Sequence, residues 1–359
     1  MQWTNDITRL FNIQYPIFQA PMLGVTTPRM VVAAQKANAF GSLPLGDLSA
    51  DKCIEVIRAT KQLTDKPFAV NIFANAIPEI SDALRVQYNN VKEFIEALLQ
   101  QYDIEAVLPA IDEIQLTDYH ERIEAIIAEQ CRIVSFTFGN LDKQSIERLK
   151  ENDIILIGTC TSAEEAKTLE QSGIDLICVQ GIEAGGHRGS FADENIPRIG
   201  GLSLLSQVCD SVKVPLIYAG GIYNAKTLLA AKTLGAQGFQ IGSLLLGSAE
   251  SALQEFEKQR LRNAKESDIV LTRSFTGRYA RGLKNTFIET IENTANILPY
   301  PFQNKLTAGL RKVAKANGNA DFVSIWTGQS INPYSGASTT EIIRDLIEQT
   351  EQYRFPAFN

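Results

Sequence analysis

Short apolar runs alternate along the chain with longer stretches in which apolar residues recur every three to four positions. The short runs fall at 17–20, 40–43, 68–72, 132–136, 154–158, 176–179, 216–218 and 238–241, and most are preceded by proline, glycine or a charged residue. Four or five consecutive residues rich in Val, Ile, Leu and Phe suit a strand buried on both faces, as in a parallel sheet. The longer stretches predict helices over 28–37, 50–63, 91–101, 143–151, 163–171, 202–209, 225–234 and 244–252. Asn224 is placed to cap one of them, and Ser162 with Glu165 three residues on reads as a capping box. Lys150-Glu151-Asn152-Asp153 and Ser172-Gly173 read as helix stops.

Eight strand–helix units in succession predict the α/β class and a TIM-type (β/α)8 barrel. An open dinucleotide-binding sheet would carry G-x-G-x-x-G after its first strand. Ala20-Pro21-Met22-Leu23-Gly24 stands there instead. Two segments exceed the connections a barrel needs. One is a helical insertion at about 74–129. The other is everything after 249. The division predicted is a barrel over 1–249, a smaller, mainly helical substrate or lid domain over 250–320, and a segment over 321–359 that returns to the barrel.

Length agrees, since 359 residues leave room for an appendage beside a barrel of roughly 250. A net charge of −7 and the lack of any basic run argue against nucleic acid as a partner. Five scattered cysteines without C-x-x-C spacing suggest neither a disulfide framework nor a metal site, and read as core thiols. No apolar run approaches the roughly 18 residues of a membrane span, and the N-terminus lacks a signal-like pattern. The expectation is a cytoplasmic protein without membrane attachment; a homodimer is left open.

The candidate chemistry lies in three glycine signals. Gln180-Gly181-Ile182-Glu183-Ala184-Gly185-Gly186-His187-Arg188-Gly189 sets one of only two histidines in a glycine-rich turn after an apolar run. Ala219-Gly220-Gly221-Ile222 and Gln240-Ile241-Gly242-Ser243 follow, each after a predicted strand and before a predicted helix. Free N–H groups at helix starts and glycine loops favour a phosphate, and barrels often bind one after their last two strands. His187 is then a titratable group beside a bound ligand. His120, in Asp118-Tyr119-His120-Glu121-Arg122, reads as a surface residue, and Arg188 as a solvent-facing ion-pair partner. Arg273, Arg278, Arg281 and Lys284 form a basic cluster that either attracts an anionic substrate or solvates a helix. Tyr300, Trp326 and Gln329 either close the site or fill the core of the small domain; Tyr300 is the substrate-pocket candidate.

Together with Gln19-Ala20-Pro21-Met22-Leu23-Gly24-Val25-Thr26-Thr27-Pro28, Gly41-Ser42-Leu43-Pro44, Val70-Asn71-Ile72-Phe73 and Val134-Ser135-Phe136-Thr137-Phe138-Gly139, these motifs make the chain resemble the nitronate monooxygenases, formerly 2-nitropropane dioxygenases, of the class I type. The resemblance runs from about residue 14 to 329. It implies non-covalent FMN and oxidation of alkyl nitronates, such as propionate 3-nitronate, by O2 through a flavin semiquinone to a carbonyl compound and nitrite. It implies FMN contacts at Pro21, Met22, Leu23, Gly24, Asn71, Gln180, Gly185, Gly186, Gly220, Gly221, Gln240, Ile241, Gly242 and Ser243, and His187 as the catalytic residue. His187 either takes the α-proton of a neutral nitroalkane or holds an ionised nitronate by a hydrogen bond. The competing readings are an NADH-dependent flavin reductase on the same barrel, of enoyl-acyl-carrier-protein or quinone type, and a non-catalytic FMN-binding barrel.

Overall fold

A computed structural model describes residues 2–354. Met1 and the last five residues of the expected returning segment lie outside the described residues. All eight predicted apolar runs are strands of one parallel sheet: β1 (Ile17–Gln19), β2 (Ser42–Gly46), β3 (Ala69–Phe73), β4 (Ile133–Thr137), β5 (Ile155–Cys160), β6 (Leu176–Gln180), then, after the two-residue β7 (Gly186–His187), β8 (Leu216–Ala219) and β9 (Gly238–Ile241). The order is β1-β9-β8-β6-β5-β4-β3-β2. A parallel bridge between Phe18 and Phe40, with Phe40 N–H donating to Ile17 O at 2.8 Å, closes the sheet into a barrel. The second strand begins two residues later than its apolar run. Its pairing with β3 shifts between Pro44 and Gly46, because proline supplies no N–H to the ladder.

The helices are α1 (Asp6–Phe11), α2 (Pro28–Lys36), α3 (Ala50–Lys61), α4 (Asp82–Gln101), α5 (Tyr119–Ala128), α6 (Lys143–Lys150), α7 (Ala163–Gln171), α8 (Gly201–Cys209), α9 (Ala225–Thr233), α10 (Glu255–Arg262), α11 (Thr286–Ile291), α12 (Phe302–Leu306), α13 (Ala308–Ala316) and α14 (Thr339–Gln352). Their starts follow the capping rules: Thr27 caps α2 ahead of Pro28, and Asn224 caps α9. Ser162 caps α7, but Glu165 does not return to the Ser162 amide as a capping box requires. Its carboxylate instead accepts from Thr161 N–H and from Phe191 N–H, tying α7 to the loop after His187.

Two predicted helices are corrected. The insertion helix starts nine residues earlier than expected, at Asp82, because the half-exposed first turns dilute its apolar stripe of Leu84, Tyr88, Val91, Ile95 and Leu98. No α-helix forms at 244–252, directly after β9. Only a 3-10 turn over Ser243–Leu245 forms there, and the chain is pressed so close that a Cβ on Gly247 would lie 2.1 Å from Tyr334 O. The vacant place in the outer ring is taken by α14, which packs between α2 and α9 and buries Ile342, Ile343, Leu346 and Ile347 in the main core.

Ile7 and Phe11 of α1 pack on Phe18 and Phe40 and plug the end where the strands begin. The opposite end is covered by α4 and α10–α13, which share a second apolar cluster containing Tyr88, Phe275, Phe287, Phe302 and Phe322. A hairpin of β10 (Ile269–Thr272) and β11 (Ala280–Leu283) belongs to this cover, and β11 pairs with β7 through Ala280 opposite His187. No helix is long and apolar enough to cross a membrane among the described residues.

Candidate active site

The strands' C-terminal ends and the helical cover enclose a cavity of about 520 Å³, in the range typical of small-molecule sites. Of the residues singled out in the sequence, Pro21, Met22, Leu23 and Gly24 line it after β1, and Asn71 on β3. Gln180, Gly185, Gly186 and His187 line it after β6, Gly220 and Gly221 after β8, Gln240, Gly242 and Ser243 at β9, and Tyr300 from the cover. Ile241 does not reach it. Alternation along a strand turns that side chain the other way, into the fully buried main core.

The glycines serve the backbone. Gly24, Gly186 and Gly221 have φ of +80°, +72° and +68°, a region costly for residues with a Cβ. The amide of Gly221 finds no partner among the described residues. The carbonyl of Gly221 accepts from Ser330, and Gly328 N–H donates to Ser243 Oγ at 2.8 Å, so residues 328–330 fold over the two glycine loops.

Gln180 is the brace of the histidine loop. Its Nε2 donates to His187 O at 3.0 Å and its Oε1 accepts from Gly189 N–H at 2.8 Å. Its amide is therefore engaged within the protein. Asn71 Nδ2 donates to Ser135 Oγ at 2.9 Å. His187 sits among Phe138 and Trp326, with ring centroids 5.5 and 5.6 Å away, and its Nε2 meets Thr276 Oγ1 at 2.9 Å. The ring is enclosed on its sides yet keeps a face on the cavity. Burial first, then the positive charges of Arg278 and Arg311, pull its pKa from 6.5 down to about 3. His187 is a neutral imidazole at neutral pH.

The basic residues are placed differently from their sequence reading. Arg188 is buried, not solvent-facing, and donates to the carbonyls of Gly181 and Gln180. Arg278 and Arg281 lie on or beside β11 rather than on a helix, and both are buried. Arg278 pairs with Asp193, donates to Ser190 O and stacks 4.3 Å from the Phe138 ring centroid. Arg281 Nε donates to Ile182 O at 3.0 Å, so Arg278 and Arg281 tie the histidine loop to the cover while Arg188 braces the loop from within. His120 is a surface residue between Asp118 and Asp142. Among the described residues no group of three or more His, Cys, Asp or Glu is placed to hold a metal.

Thr276 and Arg311 were not singled out in the sequence, and Phe138 stood there only within a family motif, because each joins the site only through tertiary packing. Arg311 had a local signal: Ala308, Arg311, Lys312 and Lys315 all line the cavity at i, i+3, i+4 and i+7 of α13. The Arg311 guanidinium donates to Asn304 O, Asn304 Oδ1 and Thr307 O and has no carboxylate partner among the described residues. Tyr300 is buried, its hydroxyl has no hydrogen-bond partner among the described residues, and burial holds its phenol protonated.

A family model described as nitronate monooxygenase matches residues 4–349. A probable nitronate monooxygenase of Staphylococcus saprophyticus is 36% identical over 356 residues, covering 98% of this chain and 99% of its own. Another, from Staphylococcus aureus, is 36% identical over 351 residues, covering 97% and 98%. The structure of nitroalkane oxidase from Streptomyces ansochromogenes superposes with a TM-score of 0.88 at 31% identity, covering 97% of this chain and 98% of its own. FabK from Thermotoga maritima superposes with a TM-score of 0.74 at 25% identity, covering 97% and 96%.

Proposed function

The chain belongs to the nitronate monooxygenase family, and on that premise we propose that FMN lies across its barrel mouth and that O2 is the oxidant. The reaction we infer converts alkyl nitronates, propionate 3-nitronate among them, to a carbonyl compound and nitrite. The observation that carries this reading is a neutral, enclosed histidine on the wall of a glycine-lined cavity at the strands' C-terminal ends.

The residues fit FMN. The amide of Gly221, without a partner among the described residues, suits a phosphate, with Gly220 and Ser243 beside it. Gly24 and Gly186 line the cavity with only open space where a Cβ would stand, so a flat ring can approach the main chain. Asn71 offers a side-chain oxygen with no partner among the described residues. When bound, FMN supplies the redox chemistry between nitronate and O2.

The chain's own residues do the rest. Neutral His187 takes the α-proton of a neutral nitroalkane: the C–H pair becomes the C=N bond of the nitronate, the N=O π pair moves onto a nitro oxygen, and the proton goes to the imidazole. Phe138, Trp326 and Tyr300 exclude water around that carbon, and the Tyr300 hydroxyl is free to donate to a nitro oxygen. Arg311, without a carboxylate of its own, suits a second anionic group on the substrate, such as the carboxylate of propionate 3-nitronate.

The test is anaerobic mixing of the purified holoprotein with propionate 3-nitronate and, separately, with NADH, following flavin absorbance. Bleaching by nitronate alone supports the reading. Bleaching by NADH alone replaces it with the flavin reductase that shares this barrel. A protein that neither reagent bleaches is a flavin binder.

A further inference from the structure

One neighbour decides which ring nitrogen of His187 carries the proton. Thr276 Oγ1 lies 2.9 Å from His187 Nε2 and donates to the Arg278 carbonyl at 3.1 Å. A hydroxyl has one proton to give. The Arg278 carbonyl sits in a buried residue and accepts from no other group among the described residues, and a buried carbonyl without a donor is costly. The Thr276 proton therefore stays on that carbonyl, and the hydroxyl meets the imidazole with a lone pair. Nε2 is then the N–H. A neutral imidazole holds one proton, which leaves Nδ1 bare, and Nδ1 has no partner in the described chain.

We propose that Thr276 is a positioning residue that holds His187 in the Nε2–H tautomer and leaves Nδ1 as the proton acceptor. The proposal rests on the reading of His187 as the base for neutral nitroalkanes. Thr276 is well fixed for this role. It sits in the turn between β10 and β11, where its N–H donates to Arg273 O at 3.2 Å and Gly277 turns the chain with φ +84°. The same hairpin pairs with the histidine's backbone through Ala280. The cover domain thus grips His187 by main chain and by ring, so the barrel alone carries the imidazole without setting its tautomer.

The chain has only two histidines, which makes the tautomer directly readable. In FMN-loaded protein labelled with 15N-histidine, long-range 1H–15N correlation should show a pyrrole-like Nε2 and a pyridine-like Nδ1 for His187. His120, whose ring nitrogens both face carboxylates, supplies the contrast. The reverse pattern in the wild-type protein overturns the proposal whether or not any variant folds. Thr276→Val should move His187 toward the Nδ1–H form and slow turnover of a neutral nitroalkane by at least about tenfold; Thr276→Ser should restore both. A Val variant that keeps the Nε2–H pattern removes Thr276 from the role. A tautomer switch with unchanged nitroalkane turnover leaves the tautomer assignment standing and overturns the base reading instead.

Discussion

Acid should destabilise this protein through His187, and the size of the effect follows from the site. The imidazole's pKa falls from 6.5 in the unfolded chain to about 3 in the fold, because burial and the charges of Arg278 and Arg311 oppose a proton there. Between these values the unfolded state binds a proton that the folded state refuses. The contribution is therefore complete above pH 6.5 and is lost as the pH falls toward 3. At about pH 5 the unfolded side chain is about 1.5 units below its pKa, which at ~1.4 kcal/mol per unit amounts to about 2 kcal/mol. Water in the cavity solvates the exposed face of the ring, so this is the upper end of the effect. The assay is urea unfolding of wild type and His187→Gln, both saturated with FMN, at about pH 7.5 and about pH 5. All other titrating groups and the FMN phosphate are common to the two proteins and cancel. Wild type should lose between about 1 and 2 kcal/mol more than the variant. Parallel losses would mean that the imidazole is protonated as easily in the fold as in water, and the argument for a neutral base would fail.

Three further outcomes are expected. His187→Asn should keep its flavin, lose about 10²- to 10⁴-fold in nitrite release from neutral nitroalkanes, and lose much less with preformed nitronates; equal losses would make His187 a general binding group. Gly221→Val places a β-branched residue at φ +68° with its Cβ 3.2 Å from Glu183 Cγ, and the flavin-to-protein absorbance ratio of the purified variant should drop; an unchanged ratio would put the phosphate elsewhere. Arg311→Met should raise KM for a carboxylate-bearing nitronate about 10- to 100-fold, the worth of one charge-assisted hydrogen bond of about 1.5–3 kcal/mol, and shift that for a simple alkyl nitronate only slightly; equal shifts would make Arg311 structural.

The strands were legible because each carries its own signal. A parallel strand covered on both faces is mostly apolar, and the eight runs from Ile17 to Ile241 are, broken only by single polar positions such as Gln19, Asn71, Ser135 and Gln240. Most helices were legible from caps and periodicity. The failures share a cause. Residues 244–252 have the right place for a helix, but α14, arriving from almost a hundred residues further on, buries Ile342, Ile343, Leu346 and Ile347 in that slot. Arg188 reads as a solvent-facing charge, and Arg278 as part of a cluster that either attracts an anionic substrate or solvates a helix, because nothing local signals their burial. Their burial depends on the carbonyls of Gly181 and Ser190 and on Asp193, all brought by folding.

The sequence by itself determined the barrel, the glycine loops at its mouth and the histidine among them, since strand burial, positive φ and titratable chemistry are properties of residues and their near neighbours. Tertiary structure alone decided how that histidine behaves. The depressed pKa comes from burial under the cover and from Arg278 and Arg311; the partner of Nε2 is Thr276, 89 positions away; and the cationic face of α13 meets the cavity only because the helix is folded over it. Protonation and charge recognition are set by the field and solvent at a point in space, and a point in space is something only the folded chain defines.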